Sequence, residues 1–160
     1  MEKLEMNIKQ WKKRIVYAIS LFFIILFTYA ATSKLLIFKS FHSQLEESPF
    51  ISSISLPVAI ILPGVLLIIS FLLVIPRFRI IAFYFSLALM IIFNVYIIGV
   101  LNFAESVPCS CGGVIKAFSW NEHLIFNTGC SLLALLGISL SYDLKTVYRK
   151  SSTNAVEVKT

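Results

Sequence analysis

The chain predicts an all-α fold: an integral-membrane four-helix bundle with a short outer amphipathic helix. Three observations predict it. The sequence is 58% hydrophobic and only 14% charged, whereas a soluble domain averages about half apolar and a quarter charged. Four apolar runs approach the roughly 20 residues that a helix needs to cross a bilayer. The basic residues, finally, gather in three segments that flank those runs. A net charge of +6 in a soluble protein would point to nucleic acid. Here no segment resembles a nucleic-acid module and there is no Gly-rich phosphate loop, so the basic residues read as determinants of membrane topology.

The first apolar run extends from Ile15 to about Phe38 and follows a basic amino-terminal segment, residues 1–14. "KKR" at Lys12 to Arg14 fits a signal peptide, but the run is longer than a signal core, so it reads as an uncleaved span. After it, Phe38, Phe41 and Leu45 are spaced for an amphipathic helix able to lie on the membrane and roof the bundle. The second run covers Leu56 to Ile75; its Pro63-Gly64 predicts a kink or a close helix approach. The third covers Ile80 to about Phe103. The fourth opens near Trp120, where "SWNE" has the Ser-x-x-Glu spacing of a capping box at Ser119, and closes near Leu140. The membrane domain is thus expected over 15–141 and a carboxyl-terminal tail over 142–160, with Lys150 to Thr160 reading as disordered.

The basic segments set the expected orientation. Lys3, Lys9, Lys12, Lys13 and Arg14 precede span one; Arg77 and Arg79 join spans two and three; Lys145, Arg149, Lys150 and Lys159 follow span four. Four spans put all three segments on one side, which the positive-inside rule makes the cytoplasm. Both termini are then cytoplasmic. The segment "VPCSCGGV", residues 107–114, is extracytoplasmic.

That location governs how Cys109 and Cys111 are read, because disulfides persist outside the cytoplasm and are rare within it. A bridge across Ser110 closes a small ring, expected to be strained and therefore oxidising. Pro108 stiffens the approach, and Gly112-Gly113 permits positive backbone angles and close contact with a partner. Lys116 and His123 are candidate stabilisers of a thiolate. Two other readings stand beside this redox pair. A structural bridge over so short a step ties down almost no chain. A metal site of Cys109, Cys111, His123 and His42 lacks the usual zinc spacing. Cys130 lies about 16 Å along the helix from Ser119 and reads as a small packing residue.

Inside the spans, His123, Asn127, Cys130, Ala134, Gly137 and Ser141 recur at helical steps on one small or polar face, expected to point into the bundle. Asn94, Asn102 and Glu105 suggest a comparable face on the third span. Lys34 either snorkels to the headgroups, pairs with Glu105 or Glu122, or meets an anionic or quinone head group. Lys34, Asn94 and Glu105 are therefore the candidate residues for quinone, the one cofactor considered.

Together the segments "ATSKLLIFKSFHSQLEESPFI", "LPGVLLIISFLLVIPRFR" and "FNVYIIGVLNFAESVPCSCGGVIKAFSWNEHLIFN" resemble the MauE/DoxX group of four-span bacterial membrane proteins, especially its MauE-like branch, between Ile15 and Ser141. The resemblance implies a multi-pass protein of the bacterial cytoplasmic (inner) membrane with a redox or maturation role. The founding MauE is an accessory for the production, transport or disulfide formation of methylamine dehydrogenase beside the thioredoxin-like MauD; the resemblance implies a MauD-like extracytoplasmic partner here without carrying over that client. Cys109 and Cys111 map onto the family's redox positions. The chain departs from the DsbB and vitamin K epoxide reductase groups, which use two cysteine pairs, and lacks the two membrane cysteines of CcdA-type carriers.

Three functions follow as expectations. The first is thiol–disulfide exchange between the Cys-x-Cys pair and a thioredoxin-like partner, with quinone as the recharging oxidant. The second is a non-catalytic scaffold or chaperone for assembling an exported enzyme. Small-solute transport, the third, suffers from few spans and few polar linings.

Overall fold

The computed structural model describes residues 2–48, 51–103 and 120–157. It is helical throughout, in the order α1 (Glu2–Leu36), α2 (Phe38–Glu46), a 3-10 turn (Ser52–Ile54), α3 (Ser55–Val74), α4 (Arg79–Phe103) and α5 (Trp120–Glu157). Among the described residues four helices are long and apolar enough to cross a membrane, over Met6–Leu36, Ser52–Val74, Arg79–Asn102 and Asn121–Thr146. Only about a third of each span is buried against the rest of the chain. The remainder presents large side chains such as Leu21, Ile25, Ile68, Phe71 and Val95 outward. A water-soluble surface does not carry apolar patches of that extent.

α1 and α4 each pack against both α3 and α5, so α1 and α4 lie across the bundle from one another. They meet through the core, where the Phe23 and Phe83 rings sit edge to face at 6.3 Å. Phe27 extends that layer, 5.4 Å from Phe23. The predicted face of α5 does point inward: Asn127, Cys130, Ala134 and Ser141 are all buried. A Cβ at Gly137 would lie 2.9 Å from the Phe83 ring. Lipid supplies no hydrophobic drive for helices to associate, so close approach through small residues has to do it. Phe83 fills the space that Ala134 and Gly137 leave.

Two contacts fix which helix ends lie together. Lys12 of α1 bridges Asp143 of α5 at 2.9 Å, and the Arg79 guanidinium at the start of α4 lies 4.3 Å from the Tyr17 ring centre. The basic stretches at Lys12–Arg14, Arg77–Arg79 and Lys145 therefore share one end of the bundle. The Lys12–Asp143 pair is half exposed and contributes about 0–1 kcal/mol, the worth of a surface ion pair. Its use here is to set register.

Several boundaries differ from those expected. α1 begins 13 residues before the first apolar run, because Glu2 to Lys13 contains good helix formers and no Gly or Pro. α5 runs on to Glu157, which corrects the expectation of disorder from Lys150: that stretch too has no breaker, and Ser and Thr alone do not stop a helix already under way. Pro63 is buried inside a continuous α3. A Cβ on Gly64 would meet nothing within 4 Å, so the close approach considered at Pro63-Gly64 is not at Gly64. It occurs at Gly137 instead.

Candidate functional site

The opposite end of the bundle carries the polar residues. There α1 finishes at Leu36, α2 folds back, α3 starts, α4 ends at Phe103 and α5 begins at Trp120. α2 is the amphipathic helix expected from Phe38, Phe41 and Leu45. Phe41 and Leu45 are buried against Ala59 of α3, with Phe38, Ile51 and Val58 packed around them. Two side-chain bonds tie this roof down. Ser48, 1% exposed, shares a 2.9 Å hydrogen bond with the Tyr96 hydroxyl of α4. His42 lies 3.4 Å from Ser55 Oγ through Nε2 and 3.7 Å from Glu46 through Nδ1. It also stacks on Phe38 at 6.3 Å. His42, weighed in the sequence as a metal ligand, is thus engaged in holding α2 to α3.

Lys34 lies beneath this roof. Its ammonium sits 4.4 Å from the centre of the Phe41 ring, a cation–π contact. From His123 a polar string descends α5. His123 Nδ1 is 3.4 Å from Asn127 Nδ2; Ser131 Oγ donates to the Asn127 carbonyl at 2.9 Å. The amide of Asn94 on α4 donates to Ser131 Oγ at 3.4 Å. Asn94 Oδ1 is shielded from solvent and accepts no hydrogen bond among the described residues, which leaves it available to a donor. Asn94 enters at the level of Ser131, eight residues or about 12 Å below His123. His123 thus forms the upper end of a string whose lower end is Asn94.

The third-span face is only partly as expected. Asn102 is exposed and donates to its own Ile98 carbonyl at 2.8 Å. It satisfies itself locally on an exposed part of α4, whereas Asn94 is half-buried and reaches Ser131 of α5. Cys109, Cys111, Lys116 and Glu105 lie outside the described residues, in the chain that joins the ends of α4 and α5. Cys130 is a buried free thiol packed in the main core with Phe27, Leu66 and Ala134, the role expected of it. The sequence did not foretell the Ser48–Tyr96 bond or the seat of Lys34 on Phe41. The one available signal was that a tyrosine hydroxyl within a span needs a partner.

The Ser48–Tyr96 bond links the segment just after α2 to α4. Tyr96→Phe is expected to cost about 1 kcal/mol and to raise protease cleavage between α2 and α3 several-fold. Unchanged cleavage would show that the bond does not hold the roof.

An all-helical bundle with four bilayer-length apolar helices, a basic end and a roofed polar end defines a multi-pass membrane protein. Residues 12–140 match the sequence model of the family described as methylamine utilisation protein MauE. The chain belongs to that family, which links it to methylamine utilisation. A search of curated proteins and of solved structures finds no match to it.

Proposed function

We propose that this chain is a thiol–disulfide component for maturing an exported enzyme of the methylamine-dehydrogenase type, with Cys109 and Cys111 as its redox pair. One observation carries the reading. The basic segments share one end of the bundle, and Phe103 and Trp120, the described residues that flank the cysteines in sequence, lie at the other. By the positive-inside rule the basic end faces the cytoplasm. The cysteine end then faces the compartment where disulfides form.

In the proposed exchange a thiolate of a thioredoxin-like partner attacks one sulfur of the Cys109–Cys111 disulfide. A mixed disulfide forms and the other sulfur leaves as thiolate. The partner's second thiolate then resolves the mixed bond. The partner ends oxidised, the pair ends as two thiols, and two electrons and two protons have moved. His123 and Lys116 favour the thiolate form. Among the candidates, Lys34 and His123 supply donors suited to a quinone carbonyl oxygen, whereas the Asn94 amide already donates to Ser131 and its free oxygen suits only a donor such as a quinol hydroxyl. Asn94 stands one helical level too deep for one head group to reach it together with Lys34. Lys34 and His123 would therefore hold the head group, with Glu105 as a further candidate. A quinone supplies the two-electron sink that returns the pair to its disulfide.

The test is labelling of intact cells after mild reduction. A bulky impermeant maleimide is expected to modify Cys109 and Cys111 before lysis, and quinone depletion is expected to shift the pair towards the dithiol. Labelling only after lysis would overturn the orientation and the mechanism with it.

A further inference from the structure

At the basic end, one face of α1 changes character along its length in the order that a phospholipid does. On this face Gln10, Lys13, Arg14 and Tyr17 line a shallow, open cleft. Continuing along that face come Leu21 and Ile25, 57% and 61% exposed. Polar and cationic groups give way to an amphipathic ring and then to bare aliphatic chains. Trp11, Tyr17 and Tyr142 are all exposed around this end, as aromatic side chains are at the headgroup level of a membrane.

The charges in the cleft are not neutralised internally. Asp143 is taken by Lys12, and among the described residues no carboxylate lies within ion-pair distance of Lys13, Arg14 or Arg79. Arg79 is held in place from behind. Its Nε donates to the Leu73 carbonyl at 3.4 Å while its guanidinium lies on Tyr17, which adds positive potential beside the cleft. Arg14 rests 6.0 Å from the Trp11 ring.

We propose that this cleft binds the phosphate of an anionic phospholipid headgroup. Lys13 and Arg14 grip the phosphate, Tyr17 lies at the level of the glycerol, and the acyl chains run along Leu21 and Ile25. The site is independent of Cys109, Cys111 and the redox reading, so either stands if the other fails.

The purified full chain in zwitterionic detergent is titrated with dioctanoyl phosphatidylglycerol, dioctanoyl phosphatidylcholine and inorganic phosphate, with binding read by native mass spectrometry and by the shift in Tm. The glycerol lipid is expected to bind at least about tenfold more tightly than the choline lipid. Lys13→Gln/Arg14→Gln should lose that preference while its lipid-free Tm is unchanged, and Lys13→Arg/Arg14→Lys should keep it. Should the glutamine variant fold poorly, the charge-preserving variant and Lys145→Gln still decide. Loss of preference in Lys145→Gln as large as in the cleft variant would mean diffuse charge attraction and overturn the site. So would equal binding of the choline lipid, and inorganic phosphate matching the glycerol lipid would overturn its assignment to lipid.

Discussion

Cys111→Ser is expected to accumulate a covalent adduct with a thioredoxin-like protein, seen on non-reducing gels and lost on reduction. The lone Cys109 thiolate forms this adduct by attacking the partner's oxidised pair, the reverse of the proposed exchange, and without Cys111 the adduct cannot pass on to a Cys109–Cys111 disulfide. Cys109 is assigned the partner-facing role because it leads the segment, so Cys109→Ser should trap less. Either single variant is expected to abolish the pair's turnover and to cut maturation of the exported enzyme by tenfold or more. Cys130 stays in place as an internal control, since it is buried in the core and out of reach of a soluble partner. A scaffold predicts the reverse pattern. It would keep its function in Cys109→Ser/Cys111→Ser and lose it when the segment around them is disrupted. Absence of an adduct from both single variants would remove the redox reading.

Gly137→Ala is expected to destabilise the bundle, and more than an added methyl at Gly64 or Gly129, where a Cβ would meet nothing within 4 Å. The new carbon would sit 2.9 Å from Phe83, a ring that is 0% exposed and already packed against Phe23, so it has nowhere to turn. Overpacking of this kind costs about 1–3 kcal/mol, roughly 3–10 °C in Tm for a chain of this size. Gly137→Leu should prevent the bundle from closing. Gly64→Ala is the matched control, because its methyl would meet nothing within 4 Å and alanine favours helix over glycine by about 1 kcal/mol. Phe83→Leu should restore part of what Gly137→Ala loses. Equal melting of the two alanine variants would show that α5 does not depend on this contact.

Hydropathy alone was enough to place α3 and α4. Their starts and ends fall within a residue of the apolar runs, because polar or breaking residues flank both: Ser52 and Ser53 before α3, Pro76 and Arg77 between the two. It was a poor guide to the free ends of α1 and α5. Hydropathy reports which residues tolerate lipid, whereas a helix stops only where propensity or a cap stops it, and neither Lys12–Arg14 nor Lys145–Lys150 does so. The inward face of α5 was legible from helical spacing, since a seam of small and polar residues in lipid has few other uses. The site was legible in residue type more than in arrangement. Lys34 and His123 stood out as costly residues in a span, but the seat of Lys34 on Phe41 and the link of His123 to Asn127 depend on how the chain folds around them. Asn102 misled because an asparagine at a span's end can satisfy its amide on its own helix, as Asn102 does on the Ile98 carbonyl, without a partner across the bundle.

The unequal helix lengths bear on hydrophobic matching. α3 has 20 residues, about 30 Å of rise, equal to the hydrocarbon thickness it must bridge. α1 and α5, with 35 and 38 residues, rise about 52 and 57 Å and overhang together at the basic end. In a thicker bilayer these two can draw more of their length into lipid, whereas α3 has no reserve. The strain of mismatch then falls on α3 and is passed through Ala59 and Ser55 to α2, so bilayer thickness acts first on the lid above Lys34.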